Sequence, residues 1–411
     1  MGTAPALPAF AGFGIELEYM IVDRQTLSVR PIADALLRAA DGSVANEVAR
    51  GRFAWSNEIV LHLLELKNRR PAPALAPLAV GFQAEVGAIN GLLAPLGACL
   101  MPTAMHPWMS PAAETCLWPH GDAPIYRAYD RIFGCRQHGQ ANLQSMHLNL
   151  PFADDATFAR LHAAVRLLLP ILPAIAASSP IADGMPSGFL DTRLEAYRTA
   201  VRRVPSVIGQ LIPDTAGSRA EYETRVFEPM YRDIAILDPQ GVLRHEWLNA
   251  RGAIPRFERS AIEIRVIDLQ ECPQADLAIA AAAASVIRAL HDARWSPLAL
   301  QQDIGTAALA RILHACIRNA EQAVIGDDGY LRLLGFPGRQ CRAAELWRHL
   351  VATTPPDSTG PWREPLQVML EHGPLARRIL RALGPDCSKA RLHALYRRLC
   401  GCLAEGRMFV S

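Results

Sequence analysis

The chain has 411 residues, 50% of them hydrophobic, with 42 Lys and Arg against 40 Asp and Glu and a formal net charge of +2. That length and apolar content allow a large core. The balanced charge, with scattered arginines and no long basic run, excludes a nucleic-acid footprint and an acidic tail.

Met1–Ala11 lacks the charged and apolar regions of a signal peptide. A membrane is not expected as a partner. Val165–Ala177 is broken by Pro170 and Pro173, Ala278–Leu290 carries Arg288, and a span needs about 20 apolar residues. Nine cysteines, an odd number without a Cys-x-x-Cys pair, read as reduced structural thiols with no zinc site. A cytoplasmic location is the expectation.

The first element is Gly14-Ile15-Glu16-Leu17-Glu18-Tyr19. Ile15, Leu17 and Tyr19 alternate with Glu16 and Glu18, the period of a strand with one greasy face and one face of paired carboxylates. Alone, such a strand reads first as an amphipathic strand with a solvated acidic edge and only second as a cation site, although adjacent acids repel. A short helix over Ala33–Ala40 ends at Asp41-Gly42, and an apolar segment bounded by Glu58 and Glu65 contains a strand. A helix over 78–96 closes before Gly97, and a short strand covers Cys99–Pro102. Residues 103–140 show no clean periodicity and are rich in Pro, Trp, His, Tyr and Gly, which reads as a long functional loop.

Met146-His147-Leu148-Asn149-Leu150 returns to strict alternation, and Asp154 caps a helix running to about Ala177. A helix over Asp191–Val201 follows, then short helical pieces to Pro255, an alternating strand over Ala261–Ile267 and a long helix over Gln274–Ala293. From residue 296 the chain reads as a helical subregion of a single domain spanning 1–411, interrupted near Gly326–Gly338 and Pro355–Pro361. Strands separated by helices, without a regular strand–helix repeat, indicate an α+β fold with helices on an antiparallel sheet.

Several strands place Glu16, Glu18, His147, Asn149, Glu263 and Arg265 on polar faces, with Glu58 and Glu65 around another. Clustered carboxylates without thiols favour Mg2+, and one His adds tolerance for Mn2+. Several Glu side chains could hold two or more ions around a polyphosphate. There is no Walker or Rossmann loop, so phosphates would need arginines: Arg193, Arg251, Arg256 and Arg265. Each of these arginines could instead form an ordinary surface ion pair.

Gly14-Ile15-Glu16-Leu17-Glu18, His147-Leu148-Asn149, Ser178-Ser179-Pro180 and Ile262-Glu263-Ile264-Arg265 with Asp268 occur in this order. Together they resemble the glutamate–cysteine ligase type 2 family, the carboxylate–amine ligases of the glutamine synthetase superfamily, over roughly residues 12 to 290. The resemblance implies an antiparallel sheet curved into a half-funnel, with helices on its outer face and a helical C-terminal region. It implies ATP and Mg2+, with Mn2+ as an alternative, and acyl-phosphate chemistry joining the glutamate γ-carboxylate to cysteine, the entry to glutathione biosynthesis. Partners would be small-molecule carboxylate and amine substrates, and a homo-oligomer is compatible with it.

Carried onto this chain, the metal set would be Glu16, Glu18, Glu58, Glu65, His147 and Glu263. Arg265 would stabilise the transferring phosphoryl group, with Glu65 beside the reaction. Arg193, Arg251, Arg256 and Arg265 would face the nucleotide. Arg193 would serve the substrate carboxylate as well, and Asn149 would bind substrate or support His147. Neutralising Glu16 or Glu263 is expected to stop turnover with the fold intact. Two other readings use the same residues: a metal-dependent amide hydrolase working without ATP, and a non-catalytic small-molecule binder.

Overall fold

The computed structural model describes residues 6–357 and 360–410. Met1–Pro5 of the segment Met1–Ala11, and residues 358–359 of the Pro355–Pro361 interruption, lie outside the described residues. The opening strand, β1, spans Gly14–Asp23. Its alternation is realised in the packing: Ile15, Leu17 and Tyr19 are buried, while Glu16 and Glu18 stay partly open on the other face.

Seven further strands join it in one antiparallel sheet: β2 Glu47–Arg50, β3 Phe53–Asn57, β4 Leu63–Asn68, β5 Ala98–Met101, β6 Ser145–Pro151, β7 Ala253–Arg256 and β8 Ala261–Asp268. The order is β2-β3-β4-β1-β6-β8-β7, and β5 pairs with the far end of β1. Strand β1 thus meets β4 through Glu16–Met20, β6 through Gly14–Leu17 and β5 through Met20–Asp23. Where β6 gives way to β5, the Gln144 amide oxygen accepts from the Met20 N–H at 2.6 Å.

The helices cover the greasy face. Helices α1 Ala33–Asp41, α2 Ala76–Leu93, α4 Asp155–Leu168 and α6 Pro273–His291 bury Leu36, Phe82, Val86, Phe158, Leu161 and the Ala-rich run Ala278–Ala284 in one cluster with the inner side chains of β1, β4, β6 and β8. Alanines there let α6 approach closely with little side-chain entropy lost. Caps follow sequence: Asp154 accepts from the Thr157 N–H at 2.7 Å, and Asp191 from the Leu194 N–H at 2.9 Å at the start of α5 (Thr192–Ala200). After α2, one 3-10 turn ends at Gly97, whose φ of 67° suits glycine. The same cluster extends to Trp347, Leu366 and Met408, so the C-terminal helices share the core of the sheet.

Three features depart from expectation. Strands β2, β3 and β7 carry no alternation that marks them; in β3 all residues from Phe53 to Asn57 are buried, which removes the period-two signal. The stretch 103–140, read as a long functional loop without clean periodicity, contains α3 (Ala123–Phe133) and short turns of helix at Pro111–Glu114 and from His138. Two residues of strand at Val324–Ile325 pair with Cys341–Arg342 inside the helical C-terminal region. Among the described residues, no helix is long and apolar enough to cross a membrane.

Candidate active site

Strand register places the charged residues in rows. Glu16 lies opposite Lys67 of β4 on one side and His147 of β6 on the other; Glu18 lies opposite Glu65, and Glu65 opposite Ser56 of β3. Glu263 of β8 lies opposite Asn149. A cavity of about 540 Å3 opens over this face. It is lined by Glu16, Glu18, Glu58, Glu65, His147, Glu263, Arg193, Arg256 and Arg265 among others.

His147 is the centre. Its Nδ1 lies 2.9 Å from Glu16 Oε2 and 3.8 Å from Glu263 Oε1, and its Nε2 lies 3.7 Å from Glu18 Oε1. One oxygen or nitrogen from each of Glu16, His147 and Glu263 falls within 4.8 Å of the others, and the same holds for Glu18, Glu65 and His147. Burial alone would push the imidazole down, but the Glu16 hydrogen bond and the charges of Glu18, Glu16 and Glu263 outweigh it and hold the pKa up at about 9. The imidazolium therefore supplies positive charge to an acid cluster that otherwise repels itself.

Each carboxylate is oriented by a neighbour. Glu18 Oε2 accepts from both the N–H and the hydroxyl of Ser145, at 2.7 Å each. Glu16 Oε1 accepts from the Asn149 amide at 3.1 Å. Glu65 Oε1 accepts from the Ser56 hydroxyl at 2.9 Å and from Lys67 Nζ at 2.8 Å, and Lys67 also reaches Glu47 at 3.0 Å. Burial and the Glu16 charge still raise the Glu65 carboxyl, and burial with Glu65 and Glu18 raises Glu58 well above the usual range. Crowded, buried acids whose charged forms are disfavoured are sites where a cation would be stabilising.

One side of the cavity is cationic. Arg256 donates to Glu263 Oε2 at 2.9 Å and to Glu246 Oε1 at 3.1 Å, while Arg265 donates through Nε and Nη2 to Glu263 Oε1. Burial would raise the Glu263 carboxyl, but Arg265, His147 and Arg256 hold it well below the usual carboxylate range. Arg193 Nε donates to Asp268 Oδ1 at 2.5 Å, and its two Nη groups reach the Arg265 carbonyl at 3.3 Å. Asp268 is fully buried and also accepts from the Ser178 N–H and the Ser179 hydroxyl, each at 2.8 Å. The Ser178-Ser179-Pro180 turn thus fixes Arg193 beneath Arg265.

The glutamate–cysteine ligase family 2 model matches residues 12–397. The chain belongs to this family. An uncharacterized protein of Archaeoglobus fulgidus is 30% identical over 97% of this chain and 100% of its own length. A Rubrobacter xylanophilus protein provisionally named glutamate–cysteine ligase 2-3 is 29% identical over 65% of this chain and 66% of its own. Among solved structures, a glutamate–cysteine ligase of Francisella tularensis in complex with AMP aligns with TM-score 0.59 at 14% identity, over 95% of this chain and 88% of that one. A bifunctional glutathione synthetase of Pasteurella multocida aligns with TM-score 0.55 at 13% identity, over 97% of this chain and 53% of that one. These two solved structures share the fold of this chain.

Two sequence candidates of this family 2 chain sit apart from the cavity. Arg251 is spent on a structural network: Nη1 donates to the Ser206 carbonyl at 3.0 Å and to Asn249 Oδ1 at 3.2 Å, and Nη2 pairs with Asp214 at 3.0 Å. It does not line the cavity. Asn149 does not line it either and acts through Glu16. Glu58 lines the cavity but belongs to neither triad. Trp118 is buried, donating to Asn46 Oδ1 at 3.0 Å, and Trp108 packs on Tyr396 and His106; Tyr126 alone of that aromatic set lines the cavity.

Lys67, Ser145, Tyr197, Trp247 and Arg259 also line the site, beyond the candidates that the sequence marks. Lys67 and Ser145 each stand two residues from a candidate, so period two would have found them. Tyr197, Trp247 and Arg259 come from α5 and from turns, where no strand period applies.

Proposed function

We propose that this chain is an ATP-dependent carboxylate–amine ligase, and that its substrates are the glutamate γ-carboxylate and cysteine. What carries the reading is the pair of triads, Glu16–His147–Glu263 and Glu18–Glu65–His147, which share one imidazole beside a cluster of guanidiniums. Oxygen donors with a single nitrogen and no thiol suit Mg2+ or Mn2+. Glu16, Glu18, Glu58, Glu65, Glu263 and, on losing its proton, His147 would hold the ions, which supply charge neutralisation of the polyphosphate when bound.

The chain's own residues then have distinct tasks. Arg256 and Arg265 line the cavity and retain N–H groups beyond those given to Glu246 and Glu263, so they can face the transferring phosphoryl group. Arg193, fixed by Asp268, backs Arg265 and adds positive charge where a substrate carboxylate or phosphate would sit. Ser145 and Asn149 keep Glu18 and Glu16 aimed. A substrate carboxylate oxygen attacks the γ-phosphorus of ATP and ADP leaves. An amine then attacks the acyl carbon and expels phosphate, giving the amide. No protein nucleophile is required.

The test is incubation with ATP, Mg2+, glutamate and a panel of amines, with ADP followed by a coupled assay and products by mass. Amide formation coupled to ADP, fastest with cysteine, is the expected result. Amide cleavage without ATP would replace this reading with the hydrolase, and nucleotide binding without turnover across the panel would replace it with the binder.

A further inference from the structure

Away from the acidic face, two thiols meet between the sheet and the last helix. Cys99 lies on β5, opposite Val22 of β1, and Cys400 lies on the helix Lys389–Glu405. Neither is in a disulfide, both are half-buried, and their thiols are hydrogen-bonded to each other. Both line an opening of about 450 Å3 whose wall also carries Arg24, Asn90 and Arg397. The two backbones are pinned nearby: Asn90 Oδ1 accepts from the Leu100 N–H at 2.9 Å, and Arg397 and His393 both reach the Gln25 carbonyl at 2.8 Å.

The other cysteines differ. Cys135, Cys272, Cys316, Cys341 and Cys402 are buried, and burial pushes their thiols up. Cys99 moves the opposite way: the Cys400 hydrogen bond lowers it, and Arg24 and Arg397 lower it further against burial and the Asp23 charge. Cys400, which gives up that hydrogen bond's advantage, is raised. A more acidic and a less acidic thiol side by side in the wall of one opening are the arrangement of an attacking and a resolving cysteine.

We propose that Cys99 and Cys400 form a thiol–disulfide exchange site for small anionic disulfides, and that its oxidised form ties the C-terminal helix to β5. The Cys99 thiolate attacks one sulfur of the small disulfide, whose S–S bond breaks and releases one thiolate. Cys400 then loses its proton, attacks Cys99 Sγ in the mixed disulfide and releases the second thiolate. The protein loses two electrons and two protons, and the small disulfide becomes two thiols. Arg24 and Arg397 are the reason for the anionic class, since they flank the opening with positive charge. The site is independent of the ligase reading, because it uses none of the same residues.

The probe is oxidised glutathione added to the full-length reduced protein, with cystamine as a cationic control. Peptide mapping should recover a Cys99–Cys400 linked peptide. Its formation should be about tenfold faster with oxidised glutathione than with cystamine, and that ratio should shrink with salt. Cys400→Ser should accumulate a mixed disulfide at Cys99, and Cys99→Ser should form neither product. A mixed disulfide that persists at Cys99 in the unaltered protein would overturn the proposal. So would exchange confined to the exposed Cys116, or equal rates with the two probes at low salt.

Discussion

Glu16 and His147 face each other across adjacent antiparallel strands, with Glu16 Oε2 at 2.9 Å from His147 Nδ1. The other Glu16 oxygen accepts from Asn149, so both are committed to β6. Glu16→Gln keeps the shape of these contacts and removes one charge from a crowded acid cluster. Turnover should fall by more than about a hundredfold, while the melting temperature moves by less than about 4 °C. Steady-state ADP release and a thermal melt of the same preparation check both halves.

Glu263→Gln should behave differently. Sequence reading expected an intact fold, but Glu263 is buried and holds both Arg256 and Arg265. Removing its charge leaves two guanidiniums short of a partner, and breaking a buried pair from one side costs about 3–5 kcal/mol. Urea titration should show this loss along with the loss of turnover. Unchanged stability would mean that the two arginines find another anion.

Acid should unfold the protein through histidines outside the site. Burial lowers His62 and His106 to about 4 each and His162 to about 3. A base whose folded pKa lies below its unfolded value near 6.5 contributes its full stability above about pH 6.5 and loses it as pH falls toward the folded value. Unfolding free energy should therefore drop between pH 6.5 and 4. His162→Gln, which retains a polar side chain that does not titrate, should flatten that slope in urea titrations at several pH values.

The strands that build the site were legible because only one of their faces is polar. β1, β6 and β8 write their orientation as alternation, and that is how Glu16, Glu18, His147 and Glu263 could be placed on one surface from spacing alone. β3 was not legible because both its faces are covered. The arginines were harder for a related reason. Arg251 and Arg256 stand five positions apart and look alike in sequence, yet Asp214 captures the first and Glu263 the second. Which acid reaches an arginine depends on long-range packing that local period does not encode. The segment 103–140 brings Asp122, Ile125, Tyr126 and Gln140 to the cavity, but its mixed pattern hid the helix Ala123–Phe133, and Trp118 is buried and held by Asn46.

Nucleotide binding should be visible without turnover. At a concentration of MgATP one hundred times its Kd, binding to the folded state alone adds about 2.7 kcal/mol. The melting temperature should rise with MgATP and much less with ATP plus a chelator. An equal rise in both conditions would remove the metal ions from nucleotide binding.

The most direct measurement follows one oxygen atom. If a substrate carboxylate attacks ATP and an amine then displaces phosphate, one carboxylate oxygen must leave with that phosphate. With heavy-oxygen-labelled glutamate, unlabelled ATP and an amine acceptor, the released phosphate should carry one labelled oxygen and the amide should keep the other. Amide product accompanied by unlabelled phosphate would contradict the acyl-phosphate account.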